Sequence, residues 1–361
     1  MADKSTNEKR RERRAQRKKH QNEKAKSWFK EWADALLFAA VAALIIRTFF
    51  FEAYRIPTPS MEKTLLTGDF LIVSKINYGP RTPMVLGVPF TNIYLPGLVL
   101  PWARLPGFEE VERNDVVVFN YPIDIAPIAA KTNYIKRAVG MPGDTLAIDD
   151  KQLYVNGNEA QPFPGIQQMY RVEVRDRVRL SAAKVEAAGG ILYRQQGDSG
   201  YRINMTKDIA DTISQWPEVT KVTPFVLPDG FNEYNRREFS FSSGFVNHHH
   251  LPPTVVPFEG QTVTLTPENY HIYKNILTRY EGNTVDRNGD QFIINGEQTN
   301  TYTIKQNYYF MMGDNRDNSE DSRFWGFVPQ SHIVGKAGMI YFSWDSERWL
   351  PRFDRLLNFI H

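Results

Sequence analysis

Three short segments of the chain carry residue types that could perform chemistry. Ser60 follows a long apolar run and lies in a segment that Pro57 and Pro59 make stiff and non-helical. A serine held in this way could be a positioned nucleophile, although most Pro-Ser pairs are only turns. The second segment places Lys136 among apolar neighbours, and the third, residues 313–328, is dense in polar groups between apolar stretches.

A serine that hydrolyses peptides needs a base to remove its proton and donors to hold the oxyanion. The seven histidines lie outside the three segments. A lysine can be the base if it is neutral, and burial among apolar side chains favours the neutral form. The surroundings of Lys136 fit this requirement, although the residues alone are more typical of a surface lysine at a strand edge.

Taken in order, the three segments resemble bacterial signal peptidase I, a membrane-bound serine peptidase with a Ser–Lys dyad. The resemblance rests on Ser-Met at 60–61 after an apolar run and on Tyr-Ile-Lys-Arg-Ala-Val-Gly-Met-Pro-Gly-Asp at 134–144. It also rests on Gly-Asp-Asn-Arg-Asp-Asn-Ser-Glu-Asp-Ser-Arg at 313–323, and it covers about residues 30–155 and 300–345.

This resemblance implies roles for individual residues. Ser60 would be the nucleophile and Lys136 the general base. Ser319 matches the family serine that hydrogen-bonds the lysine amine, while Asp321 and Arg323 match an ion pair that makes the site rigid.

The resemblance also implies an oxyanion hole made of the Ser60 backbone N–H and the Thr58 hydroxyl. Many relatives have Ser-Gly before the Ser-Met pair, whereas this chain has Thr-Pro. Pro59 offers no N–H, but Ser60 keeps its own, so we expect the hole to survive the change. Asp314 and Asn315 are expected to be turn and scaffold residues.

The implied substrates are secretory preproteins, bound extended along a strand edge and cleaved after small-x-small motifs. Six positions match the family's shallow apolar pockets: Ile56, Pro57, Met61, Leu65, Tyr134 and Ile135. No cofactor, metal or nucleic-acid partner is expected. Adjacent histidines at 248–250 could suggest a metal, but adjacent histidines on a loop point in different directions, and we expect no acidic partner near them.

The apolar run from Ala33 to Phe51 would form a helix of roughly 28 Å, long enough to cross a bilayer. The basic residues before it predict a cytoplasmic N-terminus and an exported remainder, in the bacterial plasma membrane. A cleavable signal peptide is less consistent, because its Ala40-Val41-Ala42 site lies inside the run. The basic tail, 1–31, could be solvated, contact anionic lipid, or contact nucleic acid or ribosomes.

The fold expected is mainly β: an antiparallel catalytic core of the signal peptidase and repressor-protease type, with a transmembrane helix and an inserted α+β subdomain. Five regions are predicted: tail 1–31, anchor 32–52, first core part 53–157, insert 158–281, and second core part with a C-terminal amphipathic helix, 282–361. The helix would run from about residue 344, docked on the core or lying on a membrane surface.

Three further patterns concern the elements around the site. Thr206 and Thr266 precede helical apolar spacing in the insert and are candidate N-caps. Gly143–Gly157 and Gly282–Gly296 align without gaps and both end in Asn-Gly, which predicts two equivalent hairpins. The apolar segment 83–102 is too rich in proline for a second membrane helix and is either a loop dipping into the membrane or a strand pair.

Two other functions fit part of the pattern. A self-cleaving Ser–Lys repressor-type protein would share the fold but would not need the membrane anchor. A membrane-anchored scaffold without activity would not need Ser60, Lys136, Thr58 and Ser319 together. The chain has no cysteine, so a cysteine nucleophile, a thiolate metal site and disulfides are all excluded.

Overall fold

The computed structural model describes residues 28, 30–87, 94–196, 200–228, 231, 241–242, 245 and 247–360. It begins with helix α1, Lys30–Phe49, whose mean hydropathy is 1.7 and which is not buried against the rest of the chain. The helix is long and apolar enough to cross a membrane. Residues 1–27 of the predicted basic tail lie outside the described residues.

The largest sheet is antiparallel and has nine strands, several of which were predicted from β-branched and aromatic runs. Its order is β1-β2-β22-β5-β6-β20-β21, and β23 and β24 pair with the long strand β22. The strands are β1 Phe51–Arg55, β2 Asp69–Ser74, β5 Val116–Asn120, β6 Asn133–Gly140, β20 Tyr308–Met312, β21 Val328–Pro329, β22 Ile333–Asp345, β23 Leu350–Pro351 and β24 Asn358–Phe359.

Smaller sheets surround the largest one. One contains β14-β7-β8-β9, and others pair β15 with β19, β16 with β17 and β18, and β3 with β4. Their bounds are β3 Val85–Gly87, β4 Tyr94–Val99, β7 Thr145–Asp149, β8 Gln152–Val155, β9 Asn158–Glu159, β14 Leu251–Val255, β15 Thr262–Thr264, β16 Val285–Asn288, β17 Gln291–Ile294, β18 Glu297–Gln298 and β19 Thr301–Thr303. The segment 83–102 thus contains a strand pair; residues 88–93 and the side chains of 85–99 lie outside the described set.

The middle of the chain divides into two parts. Residues 167–224 form a sheet of their own, in the order β11-β12-β10-β13. Its elements are β10 Gln167–Val174, α2 Ala182–Ala187, β11 Ile191–Gln196, β12 Gly200–Thr206, α3 Lys207–Ser214 and β13 Val219–Pro224. We call this unit the inserted sheet; it has a separate apolar core, whereas residues 251–281 pack into a core shared with β7 and β20.

Both predicted helices of the region 158–281 are present. Thr206 caps α3 by accepting the Ile209 N–H at 3.4 Å. The second, α4, begins at Tyr270 instead of at Pro267, ends at Asn275 and continues as a π-turn, Ile276–Tyr280. A short fifth helix, α5 Ser322–Trp325, follows the third sequence motif.

The two Asn-Gly hairpins have the same local structure, as their aligned sequences predict. Asn156 and Asn295 both have left-handed backbones, with φ of 53° and 54°, and each is followed by a glycine with positive φ. Each asparagine side chain accepts a backbone N–H at the start of its motif, from Thr145 at 2.8 Å and Thr284 at 3.0 Å. The repeated sequence therefore encodes one turn geometry, used twice.

The predicted C-terminal helix was wrong. After β22 the chain makes β23, a 3₁₀ turn and β24, all returning to β22. Two arginines of this segment have fixed partners instead: Arg352 donates to the Thr67 carbonyl at 3.1 Å, and Arg355 donates to the fully buried Asp69 at 2.6 Å. A buried carboxylate needs a charged partner, so the ion pair of Arg355 with Asp69 outweighs the helical spacing of apolar residues in this segment.

Candidate active site

Ser60 lies in a one-turn 3₁₀ helix, Pro59–Met61, between β1 and β2. Proline suits the first position of such a turn because its missing N–H would have no partner there. Met61 is fully buried in the apolar cluster that also holds Ile56 and Leu65. Anchored on both sides by core residues, Ser60 is held in place with 9% of its surface exposed.

Lys136 reaches this turn from β6. Its Nζ lies 2.7 Å from Ser60 Oγ and 3.0 Å from the Ile135 carbonyl oxygen. The lysine is 4% exposed, and burial lowers its pKa to about 8, against the opposing effect of the Asp321 and Asp314 carboxylates. With this pKa, about a tenth of the amine is neutral at pH 7, and the neutral form is the one that could accept a proton from the serine.

The supporting residues form a second layer. Arg323 and Asp321 make a buried two-point ion pair, with nitrogen–oxygen distances of 2.8 Å. Burial alone would raise the pKa of Asp321, but the Arg323 guanidinium holds it below its ordinary value. Asp321 also accepts the Gly313 N–H at 3.0 Å, so the pair fixes the start of the motif loop, residues 313–319.

Ser319 does not hydrogen-bond Lys136 in this structure. Among the described residues, the lysine amine hydrogen-bonds the Ser60 hydroxyl and the Ile135 carbonyl, and it also lies 5.5 Å from the centre of the Tyr134 ring. Ser319 is buried nearby, and a Cβ on Gly313 would come within 2.2 Å of its Oγ and 2.6 Å of the Ser60 carbonyl oxygen. Only glycine fits at 313, because the Ser319 side chain and the Ser60 backbone close on it from two sides.

A buried ion pair that the sequence reasoning missed joins the motif loop to β6. Arg137, beside the lysine, binds Asp314 through two bonds of 2.9 and 2.7 Å, and both side chains are fully buried. Thr64 lies just after the Pro59–Met61 turn that holds the candidate nucleophile, which we call the nucleophile turn. Its hydroxyl donates to the same Asp314 carboxylate at 2.6 Å. Breaking such a pair would leave a buried charge unpaired, so it fixes three segments together. The signal that could have found it is an arginine placed inside a strand pattern, directly before the apolar Ala138 and Val139.

Asn315 holds the backbone of the nucleophile turn. Its N–H donates to the Ser60 carbonyl at 3.1 Å, and its side-chain amide donates to the Pro59 carbonyl at 3.1 Å. The amide also donates to Glu62 at 3.3 Å. Asn315 is thus a scaffold residue, as expected, but one that acts directly on Ser60.

The expected oxyanion residue Thr58 and the six expected substrate-contacting residues differ in how far they are exposed to solvent. Thr58 is exposed, and its side chain does not cap the turn that follows. Pro57 is exposed, whereas Tyr134 and Ile135 are half-buried. The remaining three, Ile56, Met61 and Leu65, are buried in the core and could form only the floor of a substrate groove.

An aromatic group beside Lys136 was not predicted. Tyr134 stacks on Tyr121 with ring centroids 4.4 Å apart, and Trp325 packs edge-on against both. Tyr121 donates to Glu320 at 2.8 Å. These residues come from three distant parts of the chain, and no local pattern marks them as neighbours.

The expectation that residues 248–250 lack an acidic partner was wrong. His249 Nε2 lies 3.2 Å from Asp317, and His250 lies between Asp149 and Asp150 at 3.4 and 3.5 Å. These two groups contain the ligand types of a metal site.

In the first group, however, His249 Nδ1 accepts the Leu227 N–H at 2.9 Å, and the Lys151 ammonium lies 2.8 Å from Asp317. Burial lowers the pKa of His249 to about 4, so it is a neutral donor to Asp317. The ring nitrogens and the carboxylate that a metal would need are therefore already engaged by the protein.

Comparisons with known proteins identify the family to which the chain belongs. The family model described as "Signal peptidase, peptidase S26" matches residues 29–224 and 250–344. A signal peptidase I of Buchnera aphidicola is 27% identical over 329 residues, which cover 91% of this chain and 79% of that protein. That of Pseudomonas aeruginosa is 27% identical, covering 87% and 73%, and that of Aquifex aeolicus is 28% identical, covering 85% and 82%.

The fold and these matches define a serine endopeptidase with a mainly antiparallel β core. More particularly, the chain belongs to the signal peptidase family, peptidase S26, over most of its length.

Proposed function

We propose that this protein removes signal peptides from secretory preproteins, using Ser60 as nucleophile and Lys136 as general base. The observation that carries the proposal is the 2.7 Å distance between Lys136 Nζ and Ser60 Oγ, for a lysine that burial shifts toward its neutral form. No histidine is part of this contact. The named relatives, all signal peptidase I, support the same substrate class.

The proposed reaction has two halves. The Lys136 amine accepts the Ser60 hydroxyl proton while Oγ attacks the scissile carbonyl carbon, and the ammonium then protonates the leaving amine. The resulting acyl-enzyme is hydrolysed by water, with Lys136 again taking the proton and returning it to Ser60. Through both halves the Ser60 N–H and the Thr58 hydroxyl hold the oxyanion.

Substrate binding is proposed on the exposed side of the nucleophile turn. An extended peptide would pass Pro57 and the half-buried Tyr134 and Ile135. A shallow groove over a floor already filled by Met61 and Leu65 fits only small side chains near the scissile bond. This accounts for cleavage after small-x-small motifs.

The purified full-length protein should release one fragment from a preprotein that has Ala-x-Ala before its mature start. Replacing the alanine next to the scissile bond with a bulky residue should stop the release, because the groove floor is filled. Mass spectrometry measures the fragment released from each preprotein and any shortening of the enzyme itself. A self-cleaving protein would shorten itself and spare the preprotein, and an inactive scaffold would leave both unchanged.

We propose that α1 anchors the enzyme once in the bacterial inner membrane, with the N-terminus cytoplasmic. The 20-residue apolar helix and the basic residues before it support this orientation. Protease added to intact spheroplasts should cleave after Phe51 and spare an epitope at Asp3. Loss of the epitope without membrane permeabilisation would contradict the orientation.

A further inference from the structure

We propose that the inserted sheet is part of the active-site scaffold, and that Asn204 is a positioning residue that acts on Ser60 through Asn315. This inference rests on Ser60 being the nucleophile. It gives a role to a region, 167–224, whose sequence offers no chemistry of its own.

Asn204 lies on β12 and points away from the core of the inserted sheet. Its neighbours Ile203 and Met205 are fully buried in that core. Alternation along a strand places Asn204 on the opposite face. There it is 1% exposed, and its amide donates to the Asn315 side-chain oxygen at 2.9 Å. Burying a polar side chain is costly, and the bond to Asn315 offsets part of that cost, whereas the Asn204 side-chain oxygen has no hydrogen-bond partner among the described residues.

The contact fixes the orientation of the Asn315 amide. With its oxygen facing Asn204, the amide nitrogen faces the Pro59 carbonyl at 3.1 Å, while the Asn315 N–H holds the Ser60 carbonyl at 3.1 Å. Two hydrogen bonds therefore separate Asn204 from the backbone of the nucleophile turn. Without the Asn204 donor, the buried Asn315 oxygen would lack a partner and the amide could turn away from Pro59.

Backbone contacts dock the inserted sheet independently of Asn204. The Gln167 N–H donates to the Asp314 carbonyl at 2.9 Å, and the Met169 N–H donates to Asp317 at 2.6 Å. From the nucleophile side, Lys63 donates to the Gly189 carbonyl at 2.9 Å. A change at position 204 should therefore leave the sheet docked and alter only the orientation of Asn315.

The test compares preprotein cleavage by full-length variants. Asn204→Leu keeps a similar shape and removes the donor. We expect kcat to fall about 5- to 10-fold, the scale of one buried neutral hydrogen bond, with KM within about twofold and an unchanged pH midpoint. Val185→Ala, in the core of the inserted sheet, is the control. It should lower the melting temperature and keep kcat.

A double-mutant cycle tests the route of the effect. If Asn204 acts through Asn315, Asn204→Leu should cause no further loss of kcat in an Asn315→Ala background. If Asn315→Ala does not fold, the comparison of Asn204→Leu with Val185→Ala decides. Wild-type kcat in Asn204→Leu, or equal losses in that variant and the Val185→Ala control, would overturn the inference.

Ser60→Ala is assayed alongside to separate the two proposals. If Ser60→Ala does not cleave the preprotein and Asn204→Leu cleaves it at the wild-type rate, only the proposed role of Asn204 is wrong. An active Ser60→Ala removes the proposed nucleophile, and the positioning role falls with it.

Discussion

The Lys136→Arg variant should have no measurable preprotein cleavage, a loss of at least about 10³-fold. It should stay folded but melt below the wild-type temperature, because a larger and permanently charged side chain enters a buried site. A guanidinium keeps its proton at any pH the protein tolerates, so it cannot accept one from Ser60. Ser60→Ala should be equally inactive, because the attacking oxygen is gone. Initial rates and thermal unfolding of both variants are the measurements.

The wild-type rate should also report the titration of Lys136. Burial lowers the pKa of this amine to about 8, and its neutral form is the proposed base. The ratio kcat/KM should therefore rise with pH through about 8 and fall below it as the amine gains its proton.

Lys131 provides a matched control for the pH profile. Burial lowers its pKa to about 8 as well, but its amine contacts His332 and the Pro122 carbonyl at 3.1 and 3.0 Å instead of a serine. Lys131→Arg should keep the pH profile of the wild type. Two results would rule out Lys136 as the base. One is near-normal turnover by Lys136→Arg, and the other is loss of the rise in kcat/KM near pH 8 when Lys131 is replaced with arginine.

The Thr58→Val variant should lose roughly 10²–10³-fold in kcat, the scale for removing one oxyanion donor. Valine keeps the shape of threonine and removes only the hydroxyl. In the free enzyme this hydroxyl is exposed and does not cap the following turn, so its loss should barely change stability. Measuring kcat and melting temperature together tests both statements.

Thr58→Ser is the control for the oxyanion donor, since it retains the hydroxyl and should keep most of the activity. If instead Thr58 only stabilises the segment between Pro57 and Pro59, valine would lower the melting temperature and the rate would follow the unfolded fraction. A valine variant that melts normally and cleaves at the wild-type rate would place the second donor elsewhere.

Local sequence patterns were sufficient for much of the structure. The apolar run predicted α1, the Thr206 cap predicted α3, and the repeated Asn-Gly segments predicted two equal hairpins, because each depends on residues close in sequence. Helical spacing failed near the C-terminus, where the buried Asp69 requires Arg355 and the chain pairs with β22 instead.

In the site, too, some features follow from the sequence motifs and others only from contacts between distant segments. Motif resemblance selected Ser60 and Lys136, and the structure brings them within 2.7 Å of each other across 76 positions of sequence. The motif resemblance could not show three contacts between distant segments. These are the ion pair of Arg137 with Asp314, the stacking of Tyr121 on Tyr134, and the contact of Asp317 with the histidines at 248 and 249.

The sequence by itself determined the family, the membrane-length helix and the residues with reactive groups, because these follow from side-chain chemistry and short-range spacing. The tertiary structure alone decided which lysines are removed from solvent and have lowered pKa values, Lys131 and Lys136 among them, and which asparagine side chain hydrogen-bonds the turn that holds Ser60. Burial and hydrogen-bond geometry depend on contacts between distant segments. Asn204 and Asn315, 111 positions apart, therefore became neighbours only when the inserted sheet folded against the motif loop.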